Sequence, residues 1–219
     1  MRIFQFTLLL LVFAVWSSAS QADVIFWEDS KYGVTLTYPD TWRRINNQEP
    51  DDILTIAAPS GEQSAYCKIR ARDDRRYMIY PPHLHPDVQK VAVNQEFWQE
   101  YIADYYDHVS ELYYDESGLG SGYGSYALAE YGKSFTGGFM RRRGMLLASL
   151  YNGNVFIMEC SARKDSYVLW AEDFMSIART VEFDKKQHEL YTGNYRDFLG
   201  EGFAPIYFRD VKRLVGKTY

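Results

Sequence analysis

The chain has 219 residues, of which 47% are hydrophobic and 17% aromatic, and its formal net charge is −5 at pH 7. A pI near 5.4 argues against a nucleic-acid partner, because phosphates require clustered positive charge. The length corresponds to one domain that is large enough to bury a core of its own.

The amino terminus has the three parts of a secretory signal peptide. Met1 and Arg2 give a positive start, an apolar run follows over residues 3–16, and the small residues Ser20 and Ala22 occupy the positions that a signal peptidase requires. We therefore expect cleavage after Ala22, export to the periplasm or the extracellular space, and a mature protein that is not integral to a membrane. An uncleaved anchor is the alternative, but the apolar run is shorter than the ~20 residues of a membrane-spanning helix.

Three strands are predicted in the first part of the mature chain, at residues 34–38, 53–58 and 66–72. The third strand alternates strictly. Cys67, Ile69 and Ala71 share one of its faces, and the basic side chains between them share the other.

The next segment, residues 80–87, contains three prolines, which are too many for a regular element. A helix follows over residues 88–105, where apolar residues recur at intervals of three and four. Asn94 is placed to cap the second part of this helix.

His83, His85 and Asp87 alternate through the proline-rich segment. In an extended backbone such residues point the same way, so these side chains are candidate metal ligands, with His108 as a possible fourth. This cluster would make the chain a periplasmic metal-dependent enzyme. The alternative is a solvated loop in which Asp87 caps the helix.

Residues 118–124 include four glycines and predict a flexible loop. A strand-like pattern follows the loop, so it does not resemble a phosphate-binding turn that opens a helix. The tyrosines around it are candidate contacts for a sugar or a peptide, since tyrosine offers both apolar area and a hydroxyl group. These candidates are Tyr113, Tyr114, Tyr123 and Tyr126. The alternative is that tyrosine simply replaces phenylalanine on strands.

A longer β region is predicted over residues 126–135 and 139–162, with a hairpin at Asn152-Gly153. After that turn, Cys160 lies on an apolar face, as Cys67 does on its own strand. Two cysteines that face one core in an oxidising compartment predict a Cys67–Cys160 disulfide, although two buried free thiols remain the alternative.

A helix is predicted over residues 166–178 and an extended segment over residues 180–183. The rest of the chain, residues 184–219, is more charged and is interrupted by glycine and proline. We interpret residues 23–183 as a single α+β domain and residues 184–219 as a C-terminal extension. Its candidate packing residues are Phe198, Phe203, Tyr207 and Phe208.

The opening segment from Tyr32 to Trp42, an extended stretch followed by Tyr38-Pro39 and then the tryptophan, resembles the start of the PsbP-like superfamily. The later order of strand, Asn-Gly turn, strand, short helix and final strand near Phe183 is similar as well. The resemblance covers about residues 31–183. It implies an antiparallel β-sheet with helices on both faces, an α/β/α sandwich. It also implies an accessory or assembly factor and not an enzyme, and no ligand-binding residue carries over from the family.

The sequence thus favours an exported, soluble, non-enzymatic binding or assembly module. Its partner would be a protein or small ligand of the cell envelope, and no cofactor is expected. The metal-dependent enzyme that would use His83, His85 and Asp87 is the alternative. Trp42, which follows a turn, is expected to be a core residue and not a ligand contact.

Overall fold

A computed structural model of the chain describes residues 23–47, 49–75, 79–80, 84–120, 122–135, 138–151, 153–184, 205–209 and 211. The predicted signal peptide, His83, Phe198 and Phe203 lie outside the described residues.

The described strands form two antiparallel sheets. The smaller sheet has the order β1-β2-β10, with β1 at Val24–Asp29, β2 at Val34–Pro39 and β10 at Glu182–Phe183. The larger sheet has seven strands in the order β3-β4-β5-β9-β8-β7-β6. Their bounds are β3 Arg43–Arg44, β4 Asp52–Ala57, β5 Tyr66–Asp73, β6 Asp107–Leu119, β7 Gly122–Phe135, β8 Gly138–Tyr151 and β9 Asn154–Arg163.

The α-helices α1, α2 and α3 span His85–Ala92, Gln95–Tyr105 and Tyr167–Arg179, and a short 3-10 helix spans Gly61–Gln63. The Asn94 side chain accepts a hydrogen bond of 3.0 Å from the Phe97 amide, so the predicted cap begins α2. The single predicted helix is therefore two helices that meet just before this cap. None of the helices among the described residues is long and apolar enough to cross a bilayer. A fold of antiparallel sheets with a few helices confirms the predicted α+β class.

The core consists of two hydrophobic clusters, one on each face of the large sheet, so that successive residues of a central strand belong to different clusters. Cys67, Phe156 and Met158 pack in the first cluster together with α3 and the small sheet. Ala127, Leu146 and Ile157 pack in the second cluster together with α2. Both sets of alternating side chains on the central strands are thereby buried.

The predicted disulfide is confirmed. Cys67 on β5 lies directly opposite Cys160 on β9, with the two Cα atoms 4.0 Å apart and the sulfurs bonded. The bond joins neighbouring central strands whose cysteines are 93 residues apart in sequence. A cross-link between residues so far apart in sequence restricts the unfolded chain and thereby stabilises the fold.

The proline-rich segment is not extended over its whole predicted length, since α1 begins at His85. Pro86 then lies in the first helical turn, where the missing amide hydrogen has no intrahelical acceptor to lose. The alternation of His85 and Asp87 therefore does not reflect an extended backbone, because both residues lie in α1.

The predicted glycine loop is instead a hairpin, because β6 continues to Leu119 and β7 begins at Gly122. Gly120 adopts a positive φ of 59°, and a Cβ atom there would lie 2.9 Å from the Phe183 ring. Gly124 packs more tightly still, since its Cβ would lie 1.7 Å from the Ala148 carbonyl oxygen. These glycines allow a tight turn and close packing and do not make a loop.

The described residues near the C terminus pack into the core. Ile206, Phe208 and Val211 belong to the first core cluster. Pro205 accepts a hydrogen bond of 2.7 Å from the Tyr126 hydroxyl group. Arg143 lies 4.8 Å from the centre of the Phe208 ring.

Trp42 is 3% exposed and packs edge-on against the rings of Trp170 and Phe174 on α3, so its predicted place in the core is confirmed. We expect Trp42→Ala to lower the free energy of unfolding by about 3–5 kcal/mol, because it removes a large buried ring and leaves a cavity. Denaturant unfolding followed by far-UV circular dichroism measures this change. Phe26→Ala, at a ring that is 62% exposed on β1, is the matched control and should change stability by less than about 0.5 kcal/mol. Equal midpoints for the two variants would contradict the assignment.

Candidate functional site

Strand β6 is an edge of the large sheet. Among the described residues it pairs with β7 on one side, from Glu111–Glu130 to Leu119–Gly122, and with no strand on the other. At 13 residues it is much longer than β3, the two-residue strand at the opposite edge. A long edge strand presents backbone N–H and C=O groups that can pair with another chain.

The side of β6 that faces away from β7 is accessible to solvent over most of the strand. Residues 107–110, 115 and 116 are exposed and residues 112–114 are half-buried, whereas residues 117–119 are buried. The Glu116 amide donates to the carboxylate of Asp115 at 2.8 Å and is therefore turned away from β7. Because backbone groups alternate along an antiparallel strand, those of Tyr114 point outward as well.

The charge of β6 is strongly one-sided. Its sequence contains four carboxylates, at Asp107, Glu111, Asp115 and Glu116, and neither lysine nor arginine. Proteins commonly protect edge strands from self-association with lysine. The negative charge here repels a second copy of the same strand and attracts a positively charged one.

Tyr113 and Asp115 form a fixed polar pair on this edge. The Tyr113 hydroxyl donates to the Asp115 carboxylate at 2.9 Å, and its ring packs edge-on against Tyr126 at 6.0 Å. Partial burial, followed by this bond to a carboxylate, raises the pKa of Tyr113 to about 12. The hydroxyl therefore stays protonated at neutral pH.

The candidate tyrosines whose side chains the structure describes, Tyr113, Tyr114 and Tyr126, do not form one surface. Tyr126 is 1% exposed, and its hydroxyl group donates to the Pro205 carbonyl oxygen, so its side chain belongs to the core. Tyr113 packs beside the first core cluster and Tyr114 beside the second, on opposite faces of β6. The side chain of Tyr123 is not among those that the structure describes. The remaining candidates, Tyr113 and Tyr114, flank the exposed edge.

Two of the three candidate metal ligands His83, His85 and Asp87, namely His85 and Asp87, lie in α1 and not in an extended segment. His83 is not described, while His85 and Asp87 lie two positions apart at the start of α1, a spacing at which helical residues do not share a face. His108, the possible fourth ligand, packs against the Phe139 ring at 5.7 Å. No group of three or more histidine, cysteine or carboxylate side chains suited to a metal ion occurs among the described residues.

Sequence reasoning missed a buried polar cluster around Glu159 on β9. This carboxylate is fully buried and lies 3.2 Å from the Lys68 ammonium group. It accepts hydrogen bonds from the hydroxyl groups of Tyr106 and Tyr131, the latter at 2.8 Å. Lys68 also donates to the Tyr106 hydroxyl at 2.9 Å. The signal for this cluster was the alternation of β5, which places Lys68 opposite Glu159 across the strand pair.

The cluster keeps the Glu159 carboxyl group ionised at neutral pH. Burial alone would raise the pKa of Glu159, but the positive charge of Lys68 and the Tyr106 hydroxyl outweigh it, and the pKa lies below its ordinary value. Burial and the Glu159 charge raise the pKa of Tyr106 and Tyr131, so both hydroxyls remain donors. The cluster is a fully paired ionic group under α2.

Comparison with solved structures gives a weak resemblance to PsbP-like proteins. The cyanobacterial PsbP protein CyanoP from Synechocystis sp. PCC 6803 is 12% identical, with a TM-score of 0.47, and the match covers 77% of this chain and 96% of that protein. LpqN from Mycobacterium tuberculosis, described as involved in cell envelope biogenesis, is 11% identical, with a TM-score of 0.41 and coverage of 78% and 96%. The Ran-binding protein Mog1p from Saccharomyces cerevisiae is 7% identical, with a TM-score of 0.38 and coverage of 78% and 90%. No protein-family model matches the sequence, and no curated protein matches it at a significant level.

We expect Lys68→Met to lower the free energy of unfolding by about 3–5 kcal/mol at neutral pH, because Glu159 loses the cation that lowers its pKa. A carboxyl group with a lowered folded pKa contributes stability above its unfolded value of about 4.3 and loses it as the pH falls through the folded value. Without Lys68 this contribution shrinks or reverses, so the difference between wild type and variant should decrease below about pH 4. Denaturant unfolding at several pH values measures it.

The double variant Lys68→Met/Glu159→Gln serves as the control, because it removes both charges. At neutral pH the double variant should be more stable than Lys68→Met, because it leaves no unpaired charge in the core. A Lys68→Met difference that stays constant from neutral to acidic pH would contradict the role given to Glu159.

Proposed function

We propose that the chain is an exported, non-enzymatic binding module that holds an extended, basic segment of a cell-envelope protein along the outer edge of β6. The observation that carries this proposal is the one-sided pairing of a 13-residue edge strand. A peptide that adds to such an edge gains affinity from main-chain hydrogen bonds and specificity from alternate side chains.

The charge of the edge supports a basic occupant. The exposed carboxylates of Asp115 and Glu116 follow one another in β6 and so lie on opposite faces of the strand, and Glu116 already binds one cation, Lys90 of α1, at 3.1 Å. A lysine or arginine of an added strand would meet these carboxylates at cross-strand distance. The half-buried rings of Tyr113 and Tyr114, on opposite faces of β6, would contact the alternate side chains of the same strand.

The proposal extends to the organisation of the chain. Residues 1–22 are a signal peptide, residues 23–183 form a single α/β/α sandwich of the PsbP-like kind, and residues 184–219 are a C-terminal extension. The packing of Ile206, Phe208 and Val211 into the first core cluster supports an extension that completes the domain. The Cys67–Cys160 disulfide supports an oxidising compartment such as the periplasm.

We expect the exported protein to begin at Asp23 and to be lighter than the fully reduced chain by two hydrogen atoms. The first property follows from the small residues Ser20 and Ala22, and the second from the disulfide. Intact-mass spectrometry before and after reduction measures both. A mass that retains the first 22 residues would exclude cleavage, and an unchanged mass on reduction would exclude the disulfide.

We expect a fluorescent peptide of alternating lysine and valine residues to bind with a Kd in the micromolar range or weaker, and to bind less tightly as salt is added, because exposed charges are screened. Asp115→Lys/Glu116→Lys should weaken this binding by about tenfold or more, because two attractive contacts become repulsive. Fluorescence anisotropy measures the affinity.

The matched control is Glu96→Lys/Glu100→Lys, which makes the same change of net charge on the exposed side of α2. A peptide that is N-methylated at alternate residues tests the backbone contribution, because it cannot form the ladder on its methylated side. If the α2 variant weakens binding as much as the β6 variant, or the methylated peptide binds as well as the parent, the edge is not the binding site.

A further inference from the structure

A cavity of about 510 Å³ opens where β8 begins and β9 ends, at the end of the sheet. Its lining consists of Phe139, Met140, Arg141, Arg163, Lys164 and Asp165. The two strand ends are held together here, because the Lys164 amide donates to the Arg141 carbonyl oxygen at 3.0 Å. The lining is therefore anchored by the sheet. Its volume lies within the range of pockets that hold small organic ligands.

Positive charge dominates this lining, with three basic side chains against the single carboxylate of Asp165. Lys164 donates to the Glu130 carboxylate at 2.5 Å, so its charge is already matched. Arg141 and Arg163 are exposed, and neither forms an ion pair with a carboxylate among the described residues. Two guanidinium groups are thus available to bind an anion.

A second cavity, of about 290 Å³, shares Phe139 and Arg141 with the first. Strand β6 contributes His108, Val109 and Ser110 to it, and β7 contributes Tyr131 and Gly132. The Phe139 ring, which is 48% exposed, stands between the two cavities.

The position of this ring is enforced by its neighbours. A Cβ atom on Gly132 would lie 2.1 Å from the Phe139 ring, so the ring occupies the space that any other residue at position 132 would fill. The His108 ring meets it at 5.7 Å in an edge-to-face contact. An aromatic face is therefore held beside two guanidinium groups that form no ion pair with a described carboxylate.

We propose that these two neighbouring cavities bind a small organic anion that carries an aromatic ring, with its phosphate or carboxylate group on Arg141 and Arg163 and its ring against Phe139. Guanidinium groups bind both kinds of oxyanion with paired, charge-assisted hydrogen bonds. The Phe139 ring provides a stacking surface at the boundary of the two cavities. This site is distinct from the β6 edge, where the charge is negative.

Phenyl phosphate, benzoate, inorganic phosphate and phenol are suitable probes for isothermal titration calorimetry. The wild-type protein should bind phenyl phosphate or benzoate with a Kd of about 1 mM or tighter, and whichever binds more tightly identifies the anionic group. Arg141→Gln/Arg163→Gln should weaken that binding at least about tenfold. Phe139→Ala should weaken it while leaving the affinity for inorganic phosphate unchanged, and phenol should bind more weakly than either aromatic anion.

The matched control is Arg43→Gln/Arg44→Gln, which removes two exposed arginines from β3 at the other side of the sheet. The control should keep the wild-type affinity, because its change of net charge is the same but not at the cavity. The proposal is overturned if the two double variants bind equally well, or if the wild-type protein shows no saturable binding of either aromatic anion up to about 10 mM. Folding of each variant is checked by its unfolding midpoint.

Discussion

The covering of both faces of the large sheet is the constraint on which the rest of the structure depends. A strand alternates its side chains between its two faces, so Lys68 and Arg70 on β5 and Glu159 on β9 are buried on the face toward α2. Glu159 is tolerated there because Lys68, Tyr106 and Tyr131 together supply a cation and two hydroxyl donors. Phenylalanine at either tyrosine position would fill similar space and leave a carboxylate oxygen short of a donor. This requirement explains part of the tyrosine-rich composition without any ligand.

The strands and helices that pack by simple periodicity could be predicted from the sequence. Alternation placed Cys67 and Cys160 on apolar faces, and the Asn-Gly pair marked the β8–β9 hairpin, where Gly153 has a φ of 81°. Strand β1 was not predicted, because the exposed apolar residues of Val24–Asp29 follow the candidate cleavage site and show no alternation of burial. The 118–124 segment was misjudged because glycine is common both in loops and where two backbones approach closely.

The candidate site was harder to predict, since its parts depend on contacts that are distant in sequence. Tyr126 belongs to the same tyrosine-rich stretch as Tyr113, but it is buried, and its hydroxyl group bonds to Pro205, 79 residues further along the chain. Whether β6 is a central or an edge strand depends on the strand order, which local pattern does not determine. The acidic character of β6 was visible in the sequence, but its meaning required the knowledge that one side of the strand is open.

The irregularity near the start of β6 separates the acidic edge from the cationic cavities. The pairing of β6 with β7 is displaced between Asp107 and Glu111, and His108 in this stretch has a φ of 47°, which is unusual for a residue with a side chain. A bulge bends a strand and redirects its side chains. Here the two Ser134 bonds to the Asp107 carboxylate hold one end of the bend, at 2.6 and 3.1 Å.

The bend places residues 108–110 in the wall of the smaller cavity, while the regular ladder from residue 111 onward forms the edge. The bulge thus allows one strand to contribute both to the acidic edge and to the wall of the smaller cavity, whose arginine, Arg141, lies on β8.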